Sequence, residues 1–101
     1  MRWPLLRVAV AERSMRPVLQ PGDWLLVLRT GRVRPGQLVV AWHPSRSALL
    51  LVKRALRREP GGWWLQSDSP GGAAADSRAF GPVPPGLVEG RVLLRYRRAR
   101  R

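Results

Sequence analysis

The sequence predicts a small all-β domain, a coiled antiparallel sheet with little helix, from its turns, its strand-forming runs and its length. Ten prolines and ten glycines include five Pro-Gly pairs, at positions 21–22, 35–36, 60–61, 70–71 and 85–86. Each pair suits a tight turn, because proline presets the first central φ and glycine accepts a positive φ next. A chain of 101 residues has room for one modest core. We therefore expect a single domain over residues 1–96 and a basic C-terminal tail over residues 97–101.

Runs rich in strand-forming residues lie between the turns. We predict strands over Leu6–Ala11, Trp24–Arg29, Gln37–His43, Leu49–Arg57, Trp63–Gln66 and Leu87–Tyr96. The run Leu49–Val52 is continuously apolar, which is typical of a strand buried on both faces. The only helix that we expect is about one turn after Ser14, because no other segment has a sustained helical periodicity.

The formal net charge of +13 is extreme for this length, and arginine supplies nearly all of the positive charge. Such a field attracts acidic partners, nucleic acid or an anionic membrane surface. A compositional explanation stays open, because abundant Arg, Ala, Gly and Pro together are typical of a GC-rich coding sequence. Every apolar run is far shorter than the roughly 20 residues of a spanning helix, and residues 1–10 lack the apolar segment of a signal peptide. We expect a cytoplasmic protein without a transmembrane anchor.

The chain contains no cysteine and one histidine, His43. Disulfides, thiolate metal sites and histidine-rich metal clusters are therefore excluded, and we expect no cofactor. A Ser-His-Asp triad would have to use His43 itself. His43 precedes Pro44 at the end of a predicted strand, where we expect a surface residue and not a catalytic base.

Lys53 is the only lysine in a chain that otherwise uses arginine. Arginine stays protonated at every useful pH, whereas a lysine ammonium can lose its proton when it is desolvated. Lys53 directly follows the apolar run Leu49–Val52, which favours apolar surroundings and a lowered pKa. The alternative is an ordinary solvated lysine on a strand.

Ser14 is the candidate nucleophile that a neutral lysine would serve. Serine needs an adjacent base, and a lysine amine supplies one in the Ser-Lys dyad. Ser14 alone would equally suit the N-cap of a short helix. The two roles are compatible, because the backbone N–H groups of such a turn can hold an oxyanion.

Three segments, in this order, resemble the sequence boxes of the signal peptidase I superfamily. Ser14–Asp23 (Ser-Met-x-Pro-x-Leu-x-Pro-Gly-Asp) resembles the nucleophile box, and Lys53-Arg54 after an apolar run resembles the general-base box. Asp76–Pro84 (Asp-Ser-Arg-x-Phe-Gly-x-Val-Pro), followed by Gly90-Arg91-Val92, is similar to the C-terminal box. The resemblance implies an all-β catalytic core in which Ser14 attacks the scissile carbonyl and Lys53 takes its proton.

Within that superfamily the short form with Trp63-Trp64 and this C-terminal box most resembles the maturation proteases of nickel-type superoxide dismutase. The resemblance implies a serine endopeptidase that removes an N-terminal propeptide from a cytoplasmic precursor protein. We expect no nucleic-acid partner. It also implies two structural ion pairs, Arg54 with Asp68 and Arg78 with Asp76.

Three positions depart from the superfamily's pattern. Glu12 stands where a Ser or Gly is usual, and an ionised carboxylate cannot donate a hydrogen bond to an oxyanion. The Gly-Asp-Asn box appears as Ser67-Asp68-Ser69, and the serine that often orients the lysine is replaced by Ala74. These departures bear on catalytic efficiency and leave an inactive member of the same fold as one alternative.

Two other function classes stay open. The charge and the interleaved Trp and Arg residues also suit a basic β-barrel that binds nucleic acid without catalysis. Salt-sensitive binding to nucleic acid, with no cleavage of a precursor, would favour that class. A self-cleaving regulatory domain like those of the SOS-response repressors would share the fold and the dyad, although we see no DNA-binding segment and the box at 76–84 looks closer to signal peptidases.

Overall fold

The computed structural model describes residues 3–10 and 22–97, which form one six-stranded antiparallel sheet. The strands are β1 (Leu5–Ala9), β2 (Asp23–Leu28), β3 (Leu38–Trp42), β4 (Leu50–Glu59), β5 (Gly62–Gln66) and β6 (Val88–Arg97). The all-β class and the six strands predicted from the sequence are confirmed, with ends that differ by at most two residues. Ser14, Glu12 and the helical turn expected after Ser14 lie outside the described residues.

The strand order is β1-β2-β6-β3-β4-β5, so the last strand of the chain inserts between the second and the third. Three register shifts interrupt the ladders, at Leu26/Val27, Val40/Ala41 and Ala55/Arg57. Each bulge bends its strand and increases the local twist, which is how a single sheet coils around a core. Within residues 3–10 and 22–97, no helix is long and apolar enough to cross a membrane.

Both faces of the sheet carry apolar clusters. The first cluster consists of Val10, Leu25, Val27 and Val40, and the second of Val39, Ala41, Ala55, Trp63, Leu65 and Val83. Because side chains alternate along a strand, the neighbours Val39 and Val40 enter different clusters, and β3 is buried on both sides. In β4, Leu51 is buried, whereas Leu50 and Val52 pack against the first cluster from the other side.

The Pro-Gly pairs divide into two kinds of structure. Gly22, Gly36 and Gly61 adopt φ values of +96°, +93° and +95°, as expected for turns. The last two pairs instead open short 3-10 helices, Pro70–Ala75 and Pro85–Leu87, because a proline suits the first turn of a helix, where its missing N–H costs nothing.

A short α-helix, α1 (Ser77–Phe80), follows the first of these 3-10 helices. Asp76 caps it by accepting a hydrogen bond from the backbone N–H of Arg78. The expectation that no segment other than the one after Ser14 is helical is therefore wrong. A capped turn of four residues is too short to show a helical periodicity in the sequence.

Gly62 gives the first test of this architecture. Its φ is +143°, and a Cβ there would collide with the carbonyl oxygen of Val83, which accepts a hydrogen bond from the Trp63 N–H at 2.9 Å. We expect Gly62→Ala to lower the free energy of unfolding by at least about 2 kcal/mol and the Tm by about 10 °C. A Cβ at Gly31 would meet no atom within 4 Å, so Gly31→Ala is the control. Equal thermal melts for the two variants would contradict the close approach of β5 to Val83.

Candidate active site

Lys53 lies in the middle of β4, and its side chain is fully buried. It shares a face of the sheet with Leu51 and Ala55 on its own strand and with Val39, its partner on β3, all at most 1% exposed. Burial in apolar surroundings penalises a charged ammonium far more than a neutral amine. The solvated-lysine alternative is therefore wrong, and the apolar surroundings expected from the sequence are found.

Ser67 lies opposite Lys53, directly after β5. Lys53 Nζ donates a hydrogen bond to Ser67 Oγ at 2.9 Å, and the Ser67 hydroxyl donates in turn to the carbonyl oxygen of Gly72 at 3.3 Å. Ser67 is only 5% exposed. The hydroxyl proton points towards Gly72, so the oxygen faces the lysine as an acceptor.

Sequence reasoning did not identify Ser67 as a functional residue. It registers there only as a serine in place of the glycine of the Gly-Asp-Asn box. Ala74, at the position where the resemblance implies a lysine-orienting serine, is exposed on the 3-10 helix Pro70–Ala75. The signal that could have found Ser67 is a hydroxyl at the end of the strand that pairs with the lysine strand.

Asp76 connects Ser67 to α1. Its buried carboxylate accepts hydrogen bonds from the backbone N–H of Ser67 at 2.8 Å, from the Arg78 N–H at 2.9 Å and from Arg78 Nη2 at 2.7 Å. Burial, the largest single effect, raises the pKa of Asp76, but the hydrogen bonds from Arg78 and Ser67 and the charge of Arg78 together lower it below its ordinary value. Asp76 therefore holds the backbone of Ser67 in place as an ionised acceptor.

Arg54 and Asp68 form a second ion pair next to the site. Arg54 donates from Nη2 and Nε to the two carboxylate oxygens, at 2.7 and 3.1 Å, and from Nη1 to the carbonyl oxygen of Gly36 at 3.0 Å. Both ion pairs implied by the family resemblance are thus present. Asp68 directly follows Ser67 in the chain, and Asp76 accepts a hydrogen bond from the Ser67 N–H. The two ion pairs therefore hold the backbone on both sides of Ser67.

His43 closes the turn between β3 and β4. Its Nδ1 accepts hydrogen bonds from the backbone N–H groups of Ser45 and Arg46, at 3.1 and 3.2 Å, and its ring packs edge-on against Phe80. Nδ1 therefore has a structural task. Within residues 3–10 and 22–97, no group of His, Asp or Glu side chains could hold a metal ion.

Ser14 belongs to residues 11–21, so its pairing with Lys53 stays a prediction. The residues that bracket this segment are hydrogen-bonded to each other. Val10 N–H donates to the carbonyl oxygen of Asp23 at 2.8 Å, and Gly22 N–H donates to that of Val10 at 3.1 Å. The described residues on either side of positions 11–21 therefore lie next to each other, at the end of the β1–β2 ladder.

Asp76 gives a test of the support around Ser67. Because its pKa is lower than the ordinary value of about 4, the ionised carboxylate stabilises the fold at neutral pH, and this contribution is lost as the pH falls through the lowered pKa. We expect Asp76→Asn to cost about 2 kcal/mol at neutral pH and to flatten the fall of Tm in acid. Glu59→Gln, at the more exposed pair with Arg57, is the control and should cost under about 0.5 kcal/mol. A Tm of Asp76→Asn with the parent's acid dependence would contradict this role.

A protein family and a mitochondrial protease subunit are similar in sequence to this chain. Residues 4–79, which include Lys53, Ser67 and Asp76, match the sequence profile of the family described as Peptidase S24-like. Mitochondrial inner membrane protease subunit 1 of Xenopus tropicalis is 28% identical over 106 residues, which cover 81% of this chain and 63% of that protein. The chain thus spans less than two thirds of that relative's length. With the family match over most of its residues, the chain belongs to the S24-like peptidases.

Proposed function

We propose that the protein is a serine endopeptidase in which Ser14 is the nucleophile and Lys53 the general base. The observation that carries this proposal is the complete burial of the chain's only lysine, among apolar side chains and 2.9 Å from a serine hydroxyl. Burying a lysine ammonium costs free energy. A buried lysine without a chemical role would therefore only destabilise a chain that uses arginine for its other basic residues. Membership of a peptidase family supports hydrolysis of a peptide bond as the reaction.

Acylation and deacylation each involve two proton transfers through Lys53. Ser14 Oγ forms a bond to the scissile carbonyl carbon while its proton passes to the neutral Lys53 Nζ. The tetrahedral intermediate then breaks its C–N bond, and Lys53 returns the proton to the leaving amine. A water molecule then gives a proton to Lys53 and bonds to the acyl carbon, the bond from that carbon to Ser14 Oγ breaks, and Lys53 returns the proton to Ser14 Oγ. Each step needs Lys53 to be uncharged when it acts as a base, which its burial favours.

Ser67 is the positioning residue in this mechanism. A lysine side chain has four rotatable bonds, and anchoring one N–H on a fixed acceptor restricts the directions in which Nζ can point. The Ser67 hydroxyl is itself fixed by Gly72, and the Ser67 backbone by Asp76. Ser67 thus takes over the orienting task that the family resemblance attaches to the position of Ala74.

For the substrate we propose the N-terminal propeptide of a cytoplasmic precursor, nickel-type superoxide dismutase. This choice is supported by the resemblance of Trp63-Trp64 and the C-terminal box to the maturation proteases of that enzyme. Trp63 belongs to the second core cluster. The guanidinium carbon of Arg57 lies over the Trp64 ring, 4.8 Å from the ring centre. Incubation with the precursor, followed by sequencing of any new N-terminus, tests the substrate separately from the dyad.

The dyad itself is tested by Ser14→Ala and Lys53→Arg. We expect each to reduce cleavage of the precursor by at least about 1,000-fold. Ser14→Ala removes the nucleophile, and Lys53→Arg replaces an amine that can lose its proton with a guanidinium that stays charged. Lys53→Met, uncharged and of similar length, covers the case in which a buried guanidinium prevents folding. His43→Gln is the control and should leave cleavage unchanged. Full activity in Lys53→Arg, or loss of activity in folded His43→Gln, would refute the assignment of the base.

Ser67→Ala tests the positioning role by the pH dependence of single-turnover cleavage. The rate should rise with pH as Lys53 loses its proton. Removing the acceptor disfavours the ammonium, so the midpoint should move to lower pH while the plateau rate falls by about 10- to 100-fold. Ser67→Thr keeps the hydroxyl and should restore the midpoint. The control is Ser69→Ala, since Ser69 makes no side-chain capping bond. A lowered Tm with an unmoved midpoint would mean that Ser67 is only structural.

A further inference from the structure

A cavity of about 490 Å³ lies on the side of the sheet that faces away from Lys53. Its apolar wall is formed by Leu6 and Val8 of β1, Trp42 at the end of β3 and Leu50 at the start of β4. Because side chains alternate along a strand, Leu50 and Lys53 point to opposite sides of β4. The volume is typical of small-molecule sites, which span roughly 300–1,000 Å³. The sheet therefore separates this cavity from the peptidase site.

An ion pair forms the polar wall of the cavity. Arg29 lies directly after β2, and Glu89 lies on β6. Arg29 Nη1 donates a hydrogen bond to Glu89 Oε2, and Trp42 Nε1 donates one to Glu89 Oε1 at 3.2 Å. Both carboxylate oxygens of Glu89 are thus hydrogen-bonded, and its charge is balanced by Arg29.

Arg29 differs from two other arginines of the chain in the edge that it offers to a carboxylate. Arg54 and Arg78 each bind a carboxylate through Nε and Nη2. Arg29 uses Nη1 instead, and its buried Nε has no hydrogen-bond acceptor in the described part of the chain. A buried donor without an acceptor costs free energy, and a carboxylate on the Nε–Nη2 edge would supply one in the bidentate geometry.

The surroundings of Arg29 favour a ligand that is anionic at one end and apolar at the other. The Arg29 side chain is 25% exposed, so a ligand in the cavity that it lines can reach the guanidinium. Arg7 adds a second positive charge to the lining, and the net charge of the chain is +13. A purely polar anion would leave the apolar wall without a partner.

We propose that this cavity binds a small monocarboxylate with an apolar body. The carboxylate accepts hydrogen bonds from Nε and Nη2 of Arg29, and the apolar body packs against Leu6, Val8 and Leu50. This binding goes beyond the proposed peptidase reaction and uses neither Ser14 nor Lys53, which the reaction requires.

The test is calorimetric titration of the full chain with decanoate, below its micelle-forming concentration and without any precursor. We expect one saturable site. Decanol, which lacks the charge, and acetate, which lacks the apolar body, should each bind at least about 10-fold more weakly. Absence of saturable decanoate binding would overturn the proposal. Equal binding of decanol would refute the role of the guanidinium, and equal binding of acetate would refute that of the apolar wall.

Arg29→Lys tests the carboxylate position. Lysine keeps the positive charge beside Glu89 but lacks the planar pair of donors, so decanoate should bind at least about 10-fold more weakly. Arg57→Lys makes the same change at the exposed pair with Glu59 and is the control, with an expected effect of less than about 2-fold. Unchanged decanoate binding in Arg29→Lys, or an equal loss in Arg57→Lys, would refute this position.

Leu6→Trp tests the location of the apolar body, because the larger side chain would fill the cavity. We expect at least about 10-fold weaker binding of decanoate. Leu5→Trp is the control, since Leu5 is 45% exposed and points to the other side of β1, and it should leave binding unchanged. Equal binding by the two variants, when both are folded, would contradict the location. Arg29→Lys decides the matter if Leu6→Trp does not fold.

Lys53→Met separates this cavity from the peptidase site. A carboxylate could also bind next to the Lys53 ammonium, because the product of peptide hydrolysis is itself a carboxylate. We expect Lys53→Met to bind decanoate as the parent does. Loss of binding in folded Lys53→Met would place the carboxylate in the peptidase site and overturn the proposal, whatever the outcome of the cleavage experiments.

Discussion

A single amine buried in an apolar sheet is the constraint around which this small domain is arranged. Lys53 is out of contact with solvent, and its Nζ is held by the hydroxyl of Ser67. Leaving a buried polar group without a partner costs more than a typical hydrogen bond contributes, so the position of Ser67 is tightly specified. Gly72 orients its hydroxyl, and Asp76 holds its backbone.

Two contacts from the chain after β5 contribute to that support. The bridge between Trp63 and Val83 fastens the segment after α1 to β5, and Asp76 at the start of α1 reaches back to Ser67. The insertion of β6 between β2 and β3 then joins β1 and β2 to the three strands that carry the site. A chain of 101 residues thus uses one sheet for several tasks: core packing on both faces of β3, a buried amine on β4 and, on the side that faces away from this amine, a cavity lined by Arg29.

The sequence predicted the strands well because their signals are local. Pro-Gly pairs separate runs of β-formers, and the glycines of three of the five pairs adopt the positive φ expected in turns. The family boxes pointed to Lys53 and to the two ion pairs. The partner of Lys53 could not be predicted in the same way, because counting back from the turn at Pro60-Gly61 places Asp68 opposite it.

The bulge between Ala55 and Arg57 shifts this register by one residue and brings Ser67 to the lysine instead. Such a shift depends on packing between strands and leaves no mark in a local pattern. The helical turns at Pro70 and Ser77 escaped prediction for a related reason, since they are stabilised by a cap and by tertiary contacts and not by periodicity.

The central claim, that Lys53 serves as a neutral base, can be measured directly because the chain has no other lysine. Protein labelled with ¹³C at the lysine Cε gives one side-chain resonance, whose shift with pH reports the titration of Lys53 alone. We expect a pKa well below the ordinary lysine value of about 10.4. A midpoint at or above that value in the folded protein would show an ammonium that stays charged, and would contradict the general-base role.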